Sequence, residues 1–195
     1  MELFVNETKI DIQLEDEKTV GEVLTAFEKE LEKENATIIN INLDGKTIFP
    51  DEIDNILQKE LEANTIIKLE VISQNQIEQS FSVQKELSST LAEEIKTLSV
   101  KFISGKDKEA NSIIAKLADL IDSLCHTASL SALFPQKFGN LRIEGKTFPE
   151  FFKDFSEILR DFENAFESKD TVLMGDLGEY EISPRLIQLA NSLNF

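Results

Sequence analysis

Along residues 148–166, FPEFFKDFSEILRDFENAF, apolar side chains return every three or four positions: Phe148, Phe151, Phe152, Phe155, Ile158 or Leu159, Phe162 and Phe166. Lys153, Asp154, Glu157, Arg160, Asp161 and Glu163 fill the other positions. The spacing predicts a helix that buries one face. Thr147 and Glu150 stand at capping-box spacing, and Pro149 falls in the first turn, where its missing N–H costs nothing. A phenylalanine stripe of this kind reads as core rather than as a cofactor surface.

Three further helices are expected around it. One spans residues 83–103 with Val83, Leu87, Leu91, Ile95, Leu98 and Phe102 on one face, and a second spans 108–133. The last covers TVLMGDLGEYEISPRLIQLANSL, and residues 134–147 form the one loop of this half. Four helices with short connections predict an antiparallel bundle over residues 83–195.

Before residue 73 the period changes from helical to alternating. Residues 2–5 and 9–14 read as strands, the second alternating Ile10, Ile12 and Leu14 with Asp11 and Gln13. A helix then starts after Thr19, with Glu22 at capping-box spacing and Val20, Val23, Leu24, Phe27 and Leu31 on its buried side. Residues 37–43 alternate Ile39, Ile41 and Leu43 with Asn40 and Asn42. A turn at Asp44-Gly45, a short helical piece after Pro50 and a strand at 65–72 complete the segment. The polar residues 74–82, QNQIEQSFS, read as a linker between a domain of residues 1–73 and the helical half.

The wording MELFV, KIDIQLEDEKTVGEVL, INLDGKTI and IIKLEV resembles a ubiquitin-like domain, over residues 1–72. The resemblance implies a ubiquitin-like β-grasp domain; with the helical half, the expected chain is α+β, that domain followed by an all-α antiparallel four-helix bundle. Such folds host modifiers, sulfur carriers, electron carriers and interaction domains. Modifiers and sulfur carriers end in Gly-Gly, whereas here Ser73-Gln74 leads into the helical half. The cysteine cluster of the ferredoxin-like branch is missing, since Cys125 is the single cysteine. An acidic docking or spacer module is what is left. Alternation turns Phe4, Asn40, Asn42 and Lys68 to the sheet's outer face, where a partner would dock.

Charge narrows the partner. The chain has 37 acidic and 20 basic residues, a net charge of −17, which disfavours nucleic acid and anionic membrane surfaces. Residues 1–74 alone hold 18 acidic and 7 basic residues, or −11. No signal segment or membrane span is legible, so a cytoplasmic protein is expected. The composition, poor in Gly, Pro and Trp, resembles that of bacteria with AT-rich genomes.

Candidate chemistry is sparse. Cys125 and His126 are sequence neighbours, so on a helix they point about 100° apart and cannot form a dyad. Cys125 reads as a small core residue. One histidine excludes di-iron and Cys/His zinc sites within a single chain, and no cofactor is expected. Asp119 with Asp122 and Asp154 with Glu157 fall off the apolar stripes and read as solvated faces. The stretch MGDLGEYEISPRL breaks helix rules with Gly175, Gly178 and Pro184. Two readings stand side by side there: close packing at the glycines, or a partner groove around Asp176, Glu179, Tyr180, Glu181 and Arg185.

The chain is thus read as a non-enzymatic protein-interaction protein, an adaptor, escort or assembly accessory, whose partner is another protein and which could pair with itself. The alternative is a magnesium-dependent bundle enzyme or phosphorylated-ligand binder using Asp176, Glu179 and Arg185. A third option is a small-molecule pocket within the aromatic helices.

Overall fold

A computed structural model describes residues 1–11 and 16–194 of this α+β protein. Ile12, Gln13 and Leu14, expected to continue the second strand, lie outside the described residues. The chain divides into two compact units, Met1–Gln76 and a second from Ile77 onward.

In the first unit, β1 (Glu2–Val5), β2 (Thr8–Ile10), β3 (Ala36–Leu43), β4 (Lys46–Ile48) and β5 (Ile66–Ser73) form a mixed sheet of order β2-β1-β5-β3-β4. β1 runs parallel to β5, and the other pairings are antiparallel. β4, not expected from the sequence, is a three-residue strand with little pattern to show. Helix α1 (Val20–Lys33) has the expected capping box: Glu22 N donates to Thr19 Oγ1, and Thr19 N donates to Glu22. Val20, Val23 and Leu24 pack on Leu3, Leu43, Ile48, Ile67 and Leu69 to make the core. A short helix, α2 (Ile53–Leu57), follows a 3-10 turn at Pro50–Glu52.

The alternation expected for β3 fails at one point. A bulge between Ile38 and Asn40 leaves Ile39 as the extra residue, 41% exposed, while Ile38 and Ile41 pack against the core. Asn40 and Asn42 keep their outward positions.

The linker expected over residues 74–82 is helical. α3 runs Gln74–Ile95, and its start is a capping box in which Ser73 N donates to Gln76 Oε1 at 2.9 Å and Gln76 N donates to Ser73 Oγ at 3.3 Å. Its buried side is Ile77, Phe81, Gln84, Ser88, Leu91, Ala92 and Ile95, whereas Val83 and Leu87, expected inside, are 58% and 51% exposed. Hydrophobicity alone favours Val83 and Leu87, but the helix buries the polar Gln84 and Ser88 in that stripe instead. Gln84 Nε2 donates to Ser123 Oγ at 2.8 Å and Thr127 Oγ1 at 2.7 Å, which compensates its amide protons.

The remaining helices of the second unit are α4 (Leu98–Ile103), α5 (Asp107–Ser131), α6 (Pro135–Phe138), α7 (Phe148–Glu167), α8 (Thr171–Asp176) and α9 (Ser183–Ser192). The expected helix over 83–103 is broken between α3 and α4. The stretch expected as one loop contains α6, and the expected last helix is interrupted by a π-helical segment, Leu177–Ile182. Aromatic packing holds the α7 face together. Phe151, Phe155 and Phe162 are buried, and Phe148 stacks on Phe152 with ring centroids 4.8 Å apart.

Candidate functional site

On the sheet face opposite α1, the strand register places one residue from every strand in a single row. Lys9 is paired with Phe4, Phe4 with Lys68, Lys68 with Asn42, and Asn42 with Thr47. Three of the four residues anticipated on this face therefore converge, and Asn40, opposite Glu70, flanks them. Lys9 and Thr47 were missed; the antiparallel pairing of Lys9 with Phe4, legible from the hairpin spacing, could have found the first. The exposed Lys68 ammonium lies 5.7 Å from the Phe4 ring centroid, a cation–π arrangement. Lys9 donates to Glu2 at 2.5 Å; that hydrogen bond, with the attraction between the charges, holds the Glu2 carboxyl below its ordinary range and raises the Lys9 amine. Asn42 is partly committed, since its Oδ1 accepts from Gly45 N and pins the β3–β4 turn.

The rule-breaking stretch in the second unit separates into packing and pairing. A Cβ on Gly175 would lie 2.6 Å from Ser99 Cβ, and one on Gly178 would lie 3.1 Å from the Ile95 carbonyl oxygen. Both glycines thus allow α3 and α4 to approach α8 and the π segment. Pro184 lies in the first turn of α9, where it is tolerated. Arg185 Nη1 donates to the Glu181 carbonyl at 2.9 Å and to Glu181 Oε2 at 2.7 Å. Asp154 is held below the ordinary carboxylate range, first by a 2.6 Å hydrogen bond from Lys146 and, more weakly, by the charge of Arg185. Asp176, Glu179 and Tyr180 are exposed. Among the described residues no three His, Cys, Asp or Glu side chains converge to hold a metal ion. The magnesium reading gains no observation from this geometry.

Residues 1–73 are similar to the family described as the TP0873 N-terminal domain. The match to the domain of unknown function DUF8042 covers residues 79–192, more than half of the chain. The chain belongs to the DUF8042 family. It is also 28% identical, over 99% of its own length and 96% of the relative's, to an uncharacterized protein of Treponema pallidum (strain Nichols). No solved structure matches it. The DUF8042 match begins inside α3 and runs through α9, so it covers most of the second unit.

Within the DUF8042 region, Cys125 is exposed, not the core residue that its neighbours suggested. Its thiol is pushed up, first by partial burial and then by Asp122, so it is a poor thiolate source near neutral pH. His126, next on α5, is exposed as well. Asp119, Asp122, Asp154 and Glu157 all face solvent, as expected. Among the described residues no helix is long and apolar enough to cross a membrane.

Proposed function

We propose that this protein is a non-enzymatic protein-interaction protein, an adaptor or assembly accessory, and that its N-terminal unit is a ubiquitin-like β-grasp domain that docks a partner on its open sheet face. The observation that carries this reading is the row Lys9–Phe4–Lys68–Asn42–Thr47, which crosses all five strands. The strand order, with parallel β1 and β5 at the centre and α1 over the inner face, supports the fold assignment. A half-buried aromatic ring beside the Lys68 ammonium suits a partner segment that presents an apolar side chain next to a carboxylate. That cation stands in a unit that is otherwise strongly acidic, so the face attracts basic surfaces less than the rest of the unit does.

The test is capture from a lysate of the native host by the full chain and by the full-length double variant Phe4→Ala, Lys68→Glu. Both side chains point away from the core, so the variant is expected to keep its circular dichroism spectrum. A protein enriched by the parent and lost by the variant supports the reading. Identical captures by both chains, or none by either, would overturn it.

A further inference from the structure

The second unit contains a groove of about 690 Å³ between the C-terminal half of α5, α6 and the start of α7. Its wall is largely carbon: Ala128, Ala132, Phe138, Phe148 and Phe152 contribute, with Cys125 at one side. The volume lies within the roughly 300–1,000 Å³ typical of small-ligand sites. Of the lining residues, Arg142 alone is charged.

The guanidinium of Arg142 is held in place and partly unused. Its Nη1 donates to the carbonyls of Gly139 at 3.0 Å and Leu141 at 2.8 Å, and its Nη2 and Nε donors have no partner among the described residues. The surrounding stretch, residues 134–147, carries Lys137, Arg142 and Lys146 against Glu144 alone, in a chain of net charge −17. Lys137 is neutralised by Glu78 and Lys146 by Asp154, both at 2.6 Å. Glu150 is near enough for Arg142 to lower its carboxyl slightly, but that carboxylate is occupied by Thr147, whose N and Oγ1 donate to it at 2.8 and 2.7 Å. Arg142 is therefore the cation left over beside an aromatic wall.

We propose that this groove binds an amphiphilic carboxylate, with its apolar body against Phe138, Phe148 and Phe152 and its carboxylate on the free edge of Arg142. A planar carboxylate matches the guanidinium fork, and the apolar body accounts for the carbon wall. Alkyl and aryl acids share this chemistry.

The single cysteine makes the test site-specific. Cys125 is exposed on the groove wall, so its alkylation by N-ethylmaleimide at about pH 7, followed by intact mass, reports occupancy in the full chain. Octanoate and 1-naphthoate serve as alkyl and aryl probes, and octanol as the uncharged control. Octanoate is expected to slow alkylation at a concentration about tenfold or more below that of octanol. Arg142→Met should raise the octanoate concentration needed by about tenfold while leaving octanol unchanged. Because Arg142 also braces its loop, Ala132→Trp provides a second variant that fills the groove and keeps the arginine; it should abolish protection by both acids. Protection by naphthoate alone or octanoate alone narrows the ligand to aryl or alkyl acids. Equal potency of octanol and the acids, no protection at all, or protection that survives Ala132→Trp would overturn the proposal.

Discussion

Gly175→Ala is the substitution that most directly separates packing from function in the π-segment region. The added Cβ would meet Ser99 Cβ at 2.6 Å and Oγ at 2.9 Å, against an optimum of about 3.5–4.0 Å for carbon–carbon contact. The obstacle is a Cβ fixed to the backbone of α4, not the mobile end of a side chain, so the two helices must part by about 1 Å. Overpacking of this kind costs about 1–3 kcal/mol, and replacing a helical glycine by alanine returns up to about 1 kcal/mol. The net expectation is a loss of about 1–2 kcal/mol. In a chain of this length that lowers the melting temperature by roughly 2–8 °C. Urea unfolding followed by circular dichroism at 222 nm should show a lower midpoint with an unchanged slope. Ser99→Gly removes the colliding atoms, so in that background Gly175→Ala should cost nothing or stabilise, giving a favourable coupling of about 1–2 kcal/mol in the double-mutant cycle. A Gly175→Ala midpoint at or above the parent's, or a loss that persists without the Ser99 side chain, would refute the packing account.

Other consequences are as direct. Leu3→Ala, inside the sheet core, should cost about 2–5 kcal/mol in the same assay, and Phe4→Ala, one residue on but facing outward, less than about 1; equal losses would invert the assigned faces. Gln84→Ala opens a cavity and leaves the buried Thr127 hydroxyl without its partner, so it should cost about 2–3 kcal/mol, whereas Gln84→Leu leaves that hydroxyl equally unpartnered but fills the cavity and removes an unpartnered buried amide oxygen, and should cost about 1 kcal/mol less. Glu2, Glu22, Asp44, Glu52, Glu109, Glu150 and Asp154 all have carboxyls held below their ordinary values by hydrogen bonds, which lysines supply at Glu2, Asp44, Glu52, Glu109 and Asp154. The stability they contribute is fully present above the ordinary carboxylate pKa and lost as pH falls through the depressed folded values. The urea midpoint should therefore drop below about pH 4, and a midpoint at pH 3 equal to that at pH 5 would contradict this.

Local chemistry was readable from the chain; long-range pairing was not. The capping boxes at Thr19 and Thr147 announce their helices because the signal lies within four residues and an apolar run follows at once. Ser73 and Gln76 form the same device, yet Ile77 and Phe81 are separated by polar residues, and composition there suggests a linker. On α3, hydrophobicity selects Val83 and Leu87 over Gln84 and Ser88, while the helix turns the latter pair inward because a partner on α5 can satisfy Gln84. Alternation correctly turned Phe4, Asn42 and Lys68 outward, but only the register of five strands aligns them with Lys9 and Thr47. The glycines of MGDLGEYEISPRL stood out as costly; their reason, the proximity of Ser99 and Ile95, lies some eighty residues earlier. The groove at Arg142 had no local signal, since its wall is assembled from α5, α6 and α7.

The parallel pairing of β1 with β5 also sets a timetable for synthesis. Glu2 finds its neighbour only when Ile66 is available, and the hairpin of β1 and β2 has no third strand until then. An isolated two-stranded hairpin is marginal in water, so the first strands emerging from the ribosome wait for the last. At roughly 5–20 residues per second, that interval is about 3–13 s, during which Leu3 and Val20 are exposed. A nascent-chain stall placed just before β5 should therefore leave the N-terminal unit open to protease, and one placed after β5 has cleared the exit tunnel should close it.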